Sequence, residues 1–196
     1  MREITIGTGQ MRLLSGDITQ LGRHIGVMVC PASEDLRPGG GVSGAIHSVG
    51  GMEIAVECRW LGQATPGTAV PTTAGRLDAD MLVHAVGPVW QGGRWDEDRL
   101  LASAYRASLE LAEGRGLSSI AFPSISTDAF GFPLERAATI AIGTVAAFLK
   151  RATVVNDVMF VLASDDELLT FTRCVDRWER LQASRAAQSQ SQAAAS

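Results

Sequence analysis

Two glycine-containing loops carry the residues that are best suited to chemistry in this chain. The first is residues 38–44, PGGGVSG, and the second is residues 124–133, SISTDAFGFP. Each loop leads from a strand-like run into a helix-like run, and the unpaired N–H groups and partial positive charge of a helix N-terminus favour an anion. Glycine lets the backbone approach that anion because it has no Cβ. Two such loops facing each other predict a site for a diphosphate.

Acid–base and nucleophilic groups near these loops are few. Ser33 precedes the first loop and Ser43 lies within it, and a serine cannot act as a general base near neutral pH without a basic neighbour. Glu34 and Asp35 are nearby carboxylates that could serve as the base, although acids in a polar loop are mostly solvated. The sequence therefore names no catalytic residue with a clear role.

The histidines and cysteines favour structural roles over a metal site. Cys30, Cys58 and Cys174 are odd in number and widely spaced, which predicts neither a disulfide framework nor a zinc cluster. His47 and His84 are predicted to be hydrogen-bonded structural residues. No metal and no cofactor are expected, and free cysteines suit a reducing compartment such as the cytoplasm.

Strand-like and helix-like patterns alternate along the chain. Short apolar runs predict strands at residues 27–30, 81–86, 120–122 and 158–162, with one bent strand or two short strands over 4–14. Apolar residues at three-to-four spacing predict helices over 101–112, 133–148 and 164–178, the last opening with a capping box. This alternation predicts the α/β class, with a sheet between helical layers. Such sheets bind ligands beyond the carboxyl ends of their strands.

Length and composition favour one domain. The chain has 196 residues, 46% of them apolar, which is enough for one substantial core. A net charge of −4 without a Lys/Arg cluster argues against general nucleic-acid binding, and no run approaches the ~20 apolar residues of a membrane span. The N-terminus lacks an apolar signal core, so a cytoplasmic protein is expected. Residues 183–196 are rich in Ala, Ser and Gln and predict a disordered tail or a frayed helix extension after a domain of residues 1–182.

A dinucleotide site is one alternative for the first loop, because Gly39, Gly41 and Gly44 match the pattern G-x-G-x-x-G. In that motif the glycines directly follow the first strand, and an acidic residue ends the next one. Here residues 31–38 intervene, and no acid-ended strand follows promptly. The Rossmann interpretation is therefore the less favoured one.

Several segments together resemble the macrodomain family, in that family's order and spacing. They are Gly16-Asp17-Ile18-Thr19, residues 39–47 (GGGVSGAIH), Glu57-Cys58, residues 83–88 (VHAVGP) and residues 120–127 (IAFPSIST). The resemblance covers residues from about 12 to 175 and implies a three-layer α/β/α fold with a central mixed sheet. It also implies a site for ADP-ribose or its derivatives. The similarity is to the MacroD-like, Appr-1"-p processing branch, many of whose members hydrolyse ADP-ribosyl esters on proteins or O-acetyl-ADP-ribose.

The resemblance also implies which residues bind the ligand. Asp17 corresponds to the acid that accepts a hydrogen bond from the adenine amino group, although an Asp is also an ordinary helix N-cap. Ile18 corresponds to the neighbour whose backbone N–H contacts the ring. The first phosphate loop comprises Gly39, Gly40, Gly41 and Val42, and the second comprises Ser126, Thr127, Asp128, Ala129 and Phe130. Phe130 takes the place of an aromatic that packs on the distal ribose, or else it anchors the loop.

Departures from the family pattern bear on catalysis and affinity. The usual Asn-Ala-Ala-Asn is here residues 30–33, CPAS, so Ser33 replaces the Asn that orients the distal ribose. Ser43 replaces the Asp that helps to activate water. Asp128 replaces a glycine and would repel a diphosphate if its carboxylate pointed inward. Ala163 replaces an aromatic that covers adenine.

These observations predict a protein that binds ADP-ribose or a related nucleotide diphosphate, whether free, O-acetylated or protein-linked. Hydrolysis by the family's usual Asn and Asp is not expected, because Ser33 and Ser43 replace them. An ADP-ribosylated protein is the expected macromolecular partner. One alternative is an active ADP-ribosyl ester hydrolase or O-acetyl-ADP-ribose deacetylase, in which a ligand phosphate assists the water and Ser33 or a loop carboxylate replaces the missing groups. Another is a non-binding scaffold or interaction module whose pocket has decayed.

Overall fold

A computed structural model describes residues 1–193, with side chains for residues 1–188, and is built on one seven-stranded sheet. The strands are β1 (Arg2–Ile6), β2 (Gly9–Ser15), β3 (Ile25–Ala32), β4 (Ala69–Thr72), β5 (Ala79–Val86), β6 (Ser119–Phe122) and β7 (Asp157–Leu162). The helices are α1 (Gly41–Gly50), α2 (Met52–Leu61), α3 (Glu97–Gly114), α4 (Leu134–Leu149) and α5 (Asp165–Ala193).

The sheet is mixed, with the strand order β1-β2-β7-β6-β3-β5-β4. The five inner strands run parallel, and β1 and β4 are added antiparallel at the edges. In β3 every residue except Pro31 is buried, as expected for a strand that is covered on both faces. Because parallel strands end at the same edge of a sheet, the loops after β2, β3, β5, β6 and β7 open on one side of the molecule.

Helices cover both faces of the sheet. On one face, α3, α4 and α5 pack over an aromatic cluster in which the rings of Tyr105 and Phe122 are 5.2 Å apart and those of Phe160 and Phe171 are 5.3 Å apart. On the other face, α1 and α2 pack through apolar residues such as Ile54. The predicted three-layer α/β/α fold is thereby confirmed.

Three local features refine the predicted elements. Gly7, with φ +62, lies between β1 and β2, so the N-terminal segment forms two short strands. β4 has no counterpart in the prediction because it is short and contains Pro71, which is tolerated at a sheet edge. The helix predicted after the first loop is interrupted at Gly51, where φ is +99. The segment therefore forms two helices, α1 and α2.

The last helix extends beyond the predicted end of the domain. α5 runs to Ala193, so residues 183–193 are helical in the segment for which the sequence allows a disordered tail or a helix extension. Their side chains are exposed as far as residue 188. Residues 194–196 lie outside the described residues, and the domain boundary at 183 stays a prediction. Within the described part of the chain, no helix is both long enough and apolar enough to cross a membrane.

Two glutamates tie connecting segments to α3. Glu97 accepts hydrogen bonds from three N–H groups within residues 91–95, at 2.6–3.0 Å. Glu113 accepts from three N–H groups within residues 153–155, at 2.7–3.1 Å. Desolvation acts to raise the pKa of Glu97, but the backbone donors outweigh it and lower that pKa to about 2. The N–H of Val155 is the largest cause that lowers the pKa of Glu113 to about 2.

We expect Glu97→Gln to lower stability at neutral pH and to flatten the acid side of the stability profile. A carboxylate whose folded pKa lies below its ordinary 4.5 stabilises the fold above that pH, and the contribution is lost as the pH falls towards the folded value of about 2. Urea midpoints measured from pH 7 to pH 2 check this result. Glu110→Gln, on the exposed side of the same helix, is the matched control. A Glu97→Gln profile parallel to that of the wild type would contradict the assignment.

Candidate functional site

The first glycine loop joins β3 to α1, and its backbone needs glycine at two places. Gly41, the first residue of α1, has φ +56, a left-handed conformation that a Cβ disfavours. A Cβ on Gly44 would lie 2.7 Å from the carbonyl oxygen of Gly39. Gly40, by contrast, is the N-cap of α1 with φ −83, and a Cβ there would meet no atom of the described residues within 4 Å. The loop thus presents bare backbone at a helix N-terminus.

The second loop follows β6, which neighbours β3 in the sheet, so the two loops lie side by side. Ser126 has φ +67, and its buried hydroxyl has no partner among the described residues. Gly87 permits this arrangement, because a Cβ on Gly87 would overlap the hydroxyl of Ser126. Tyr105 on α3 accepts a hydrogen bond from the N–H of Ile125 at 3.1 Å. Tyr105 thereby fixes the loop, and the hydroxyl of its strained residue, Ser126, lies against Gly87. A non-glycine residue with left-handed backbone is typical of functional sites.

The two loops border one cleft with two compartments. The first compartment is lined by Pro31, Ala32, Ser33, Arg37, Gly39, Gly40, Val42, Ser43, Gly87, Ser124, Ile125, Ser126, Asp128, Ala129 and Phe130. The second, of about 580 Å³, is lined by Gly16, Asp17, Ile18, Gly41, Val42, Ala45, Pro123, Ser124, Thr127, Asp128, Val161, Ala163 and Glu167. The two compartments share Val42, Ser124 and Asp128, so they meet between the loops. Every ligand-binding residue named from the sequence lines one of them; which of these residues contact a ligand stays a prediction.

The second compartment has aliphatic walls. Ile18, Val42 and Val161 line it, and Ala163 lies just beyond the end of β7. No aromatic residue of the described chain lines this compartment. A purine bound here would therefore pack between aliphatic side chains, without the aromatic stacking that contributes about 1 kcal/mol in other sites.

Asp17 takes the N-cap role that the sequence allows for it and keeps an oxygen available to a further donor. It caps a short 3-10 turn (Ile18–Gln20), and its Oδ1 accepts from the N–H and the hydroxyl of Thr19 at 2.9 and 2.7 Å. Oδ2 receives only a longer bond of 3.3 Å, from Gln20, and keeps lone-pair capacity for another donor. The bonds from Thr19 lower the pKa of Asp17, so its side chain is an anionic acceptor at neutral pH.

Charge in the cleft is mostly negative. Asp17, Asp128 and Glu167 line the second compartment, and no lysine or arginine of the described residues does so. Asp128 points inward, because its Oδ2 lies 2.7 Å from the position of a Cβ on Gly41, at the helix N-terminus where a phosphate is expected. Arg37 borders the first compartment with a side chain that is 83% exposed. A bound diphosphate would thus depend on backbone N–H groups and would meet the Asp128 carboxylate.

Neither predicted serine is placed to act as a base, and Ser43 has no partner that would activate it as a nucleophile. Ser33 donates to Asp35 at 2.6 Å, and this bond is the largest cause of the lowered pKa of Asp35. Ser43 accepts from the Cys30 thiol at 3.5 Å and from a loop N–H at 3.4 Å. Within the described chain no carboxylate or imidazole is hydrogen-bonded to Ser43. The two carboxylates considered as substitutes, Glu34 and Asp35, line neither compartment.

The three histidines differ in their partners. His84 is hydrogen-bonded, as predicted, with its Nε2 3.0 Å from Thr72 Oγ1, and burial lowers its pKa to about 4. For His47 the same prediction is wrong at one atom, because its buried Nδ1 has no partner among the residues described. His24, for which the sequence shows no partner, lies 2.8 and 3.1 Å from two aspartates, whose hydrogen bonds raise its pKa.

Some lining residues were not predicted from the sequence. Gly87 and Ser124 belong to segments that carry the family resemblance, and their positions after β5 and β6 were the available signal. Arg37 lies in a polar loop without a diagnostic pattern. Glu167 was predicted only as part of a capping box, and it does cap α5, accepting from the N–H of Ala163 at 2.9 Å.

Comparisons with known proteins agree with this architecture. A family model described as Macro domain matches residues 29–141. The chain is 42% identical over 175 residues to a macro domain-containing protein of Caldanaerobacter subterraneus subsp. tengcongensis, with 87% of this chain and 98% of the relative covered. It is 41% identical over 176 residues to a Cronobacter sakazakii protein named O-acetyl-ADP-ribose deacetylase, with 88% and 97% covered. A mutant of the Oceanobacillus iheyensis macrodomain solved with ADPR superposes with a TM-score of 0.86 at 32% identity, over 91% of this chain and 98% of that one. This chain belongs to the macrodomain family.

Proposed function

We propose that this protein binds ADP-ribose or one of its derivatives, with the diphosphate between the two loops and the adenine in the second compartment. The observation that carries the proposal is the bare backbone at the N-terminus of α1, which faces the second loop across a cleft with a compartment on either side. A diphosphate that joins two ribosyl halves matches that shape. The relatives named for O-acetyl-ADP-ribose and solved with ADPR support the same ligand class.

On this proposal the protein is a reader of ADP-ribose, and an ADP-ribosylated protein is its natural partner. Ser33 and Ser43 hold the positions at which the family usually has an amide and a carboxylate. Ser43 is bonded to a thiol and to a backbone N–H rather than to a base, and the Asp35 carboxylate that is bonded to Ser33 lines neither compartment. The relative named as a deacetylase supports the alternative, hydrolysis of O-acetyl-ADP-ribose. Free cysteines at positions 30, 58 and 174 support a reducing compartment, which we take to be the cytoplasm.

Calorimetric titration tests the binding role. ADP-ribose should bind in a saturable manner and more tightly than ADP, which lacks the distal ribose that the first compartment would hold. Heats of ADP-ribose addition equal to those of buffer would refute the proposal and favour the scaffold alternative. Release of free ADP-ribose from a glutamyl-ADP-ribosylated protein, followed by chromatography, then separates a reader from a hydrolase.

We expect Asp17→Asn to weaken ADP-ribose binding by about 1.5–3 kcal/mol, the range for a hydrogen bond to a charged group. Asparagine remains a good N-cap, so the turn at residues 18–20 is preserved while the acceptor for the adenine amine becomes a donor. The same variant should gain relative affinity for an inosine analogue of ADP-ribose, whose ring carries an acceptor at that position. Calorimetry with both ligands measures this change in preference. Unchanged affinities for both ligands would remove Asp17 from the site.

We expect Asp128→Asn to tighten ADP-ribose binding by about 1 kcal/mol, or roughly fivefold, because it removes one unit charge near the diphosphate. The gain should shrink as salt is raised, since the pair is partly exposed. Glu110→Gln, which changes the net charge equally at a remote exposed position, is the control. A weaker Asp128→Asn complex would show that the carboxylate binds the ligand rather than repelling it.

A further inference from the structure

A buried cluster of cysteine and histidine side chains joins α1 to β3 and β5, and none of its members lines the ligand cleft. Cys30 on β3 and His84 on β5 are register partners in adjacent parallel strands, and His47 reaches them from α1. One donor atom from each of the three lies within 4.8 Å of the other two. Cys30 and His84 are fully buried, and His47 is 8% exposed. Cys58 on α2 also contacts this cluster, with its Sγ 3.5 Å from His84 Nε2.

The contacts of Thr72 favour one tautomer of His84. Thr72 has one hydroxyl proton and donates it to the carbonyl of Thr73 at 3.0 Å. Thr72 Oγ1 must therefore accept from His84 Nε2–H at 3.0 Å. This leaves the lone pair of His84 on Nδ1. Metal-binding histidines usually donate their other N–H to an oxygen acceptor in this manner, which fixes the ring.

His47 has an unpaired ring nitrogen. Its Nδ1 is buried and has no hydrogen-bond partner in the described part of the chain, and buried polar atoms without partners are rare in folded proteins. Both rings are buried, and a neutral imidazole keeps one lone pair that can bind a metal ion. The ring centroids are 5.5 Å apart.

We propose that Cys30, His47 and His84 form a binding site for a thiophilic divalent transition-metal ion, with zinc as the physiological candidate. Zinc takes thiolate sulfur at about 2.3 Å and imidazole nitrogen at about 2.0–2.1 Å in tetrahedral sites, and both donor types are present here. Closing the three donor atoms around one ion would need inward shifts of roughly 1 Å. Ser43 contacts Cys30 Sγ and also lines the first compartment, so it connects the cluster with the cleft.

Binding at this site releases a proton. A cysteine thiol without a cation beside it is protonated near neutral pH, because its ordinary pKa is about 8.5. The metal displaces that proton, an S–H bond is exchanged for an S–metal bond, and the proton passes to the buffer without any change of oxidation state. At least one proton should be released per ion bound.

Cobalt(II) is the probe for the test, because thiolate ligation gives it a sulfur-to-metal charge-transfer absorption band. Titration of the chelator-treated full chain with Co²⁺ should produce this band with one-to-one saturation, and an equivalent of Zn²⁺ should abolish it. Calorimetry of Zn²⁺ in two buffers of different ionisation enthalpy should give a release of one or more protons. The exposed pair of His24 with its aspartates offers only nitrogen and oxygen donors, so adventitious binding there gives no sulfur band.

Cys30→Ala should lose the band. Cys174→Ala should keep it, since Cys174 is buried on the opposite face of the sheet, in the core that α3, α4 and α5 cover. A band that survives Cys30→Ala, or a wild-type protein that binds cobalt without the band, would overturn the proposal and leave the cluster as a hydrogen-bonded part of the core. If Cys30→Ala does not fold, zinc X-ray absorption of the wild-type protein decides the matter. At least one sulfur and two imidazole nitrogens around the ion support the site, and a shell of nitrogen and oxygen alone refutes it.

Discussion

Glutamate at position 40 is expected to abolish measurable ADP-ribose binding, whereas glutamine at the same position should only weaken it. Gly40 is the N-cap of α1, its φ of −83 suits any residue, and a Cβ there points into open space. Both variants should therefore fold, and both would place a side chain where the diphosphate is proposed to lie. Only glutamate adds a negative charge beside that of the ligand.

The difference between the two Gly40 variants measures the charge of the bound group. Two like charges about 4 Å apart repel by ~1 kcal/mol in bulk water and by ~4 kcal/mol near a protein surface, which is roughly a 5- to 1,000-fold difference in Kd. Gly143→Glu is the matched control, because it adds the same charge where a Cβ is also unhindered, on α4 away from both loops. Calorimetry gives the affinities, and circular dichroism shows that the variants fold.

Equal affinities for Gly40→Glu and Gly40→Gln would place the diphosphate elsewhere, and so would a Gly143→Glu variant as damaged as Gly40→Glu. Gly41 is a poorer position for this test. Its φ of +56 disfavours any side chain, and a Cβ would lie 2.7 Å from Asp128 Oδ2. A substitution at Gly41 thus combines backbone strain with loss of the site, and the two effects could not be separated.

The fold was predictable wherever local pattern and burial agree. Apolar runs such as residues 158–162 form inner strands that are buried on both faces, and α4 follows its predicted apolar spacing after Pro133. The prediction failed for elements whose formation depends on partners distant in sequence. β4, with four residues and a proline, is a strand only because β5 offers it an edge. Gly51 ends α1 through a φ that composition does not reveal.

The candidate site was predictable as a list of positions but not as an arrangement of charges. Residues at the ends of parallel strands must share one edge of the sheet, so both loops could be placed together from the sequence. The inward direction of Asp128 depends on a close approach to Gly41 that spacing does not encode. Likewise, Cys30, His47 and His84 lie on three different elements without any sequence motif. The expectation of no zinc cluster rested on cysteine spacing alone.

Catalysis should rise when the two serines are replaced by the groups that the family usually carries. We expect the wild-type protein to release ADP-ribose from a glutamyl-ADP-ribose substrate at or near the background rate. Ser33→Asn with Ser43→Asp should increase that rate by up to ~10²–10⁴-fold, the range for a positioned acid–base group. The amide would orient the distal ribose, and the carboxylate would hold the attacking water.

The restored pair has a favourable environment at position 43 and a matched control. Ser43 is 8% exposed and lies 3.5 Å from the buried Cys30 thiol, so a carboxylate there is partly desolvated, which raises its pKa and favours proton acceptance near neutral pH. Ser33→Asn with Ser43→Asn keeps the shape without the base and should remain near background, because an amide cannot accept the proton. Asp128→Asn added to the active pair should raise the rate further if repulsion limits productive binding. Robust wild-type turnover that survives Ser33→Ala and Ser43→Ala would instead show that this chain hydrolyses its ligand with other groups, because neither serine would then be needed to hold the water or the ribose.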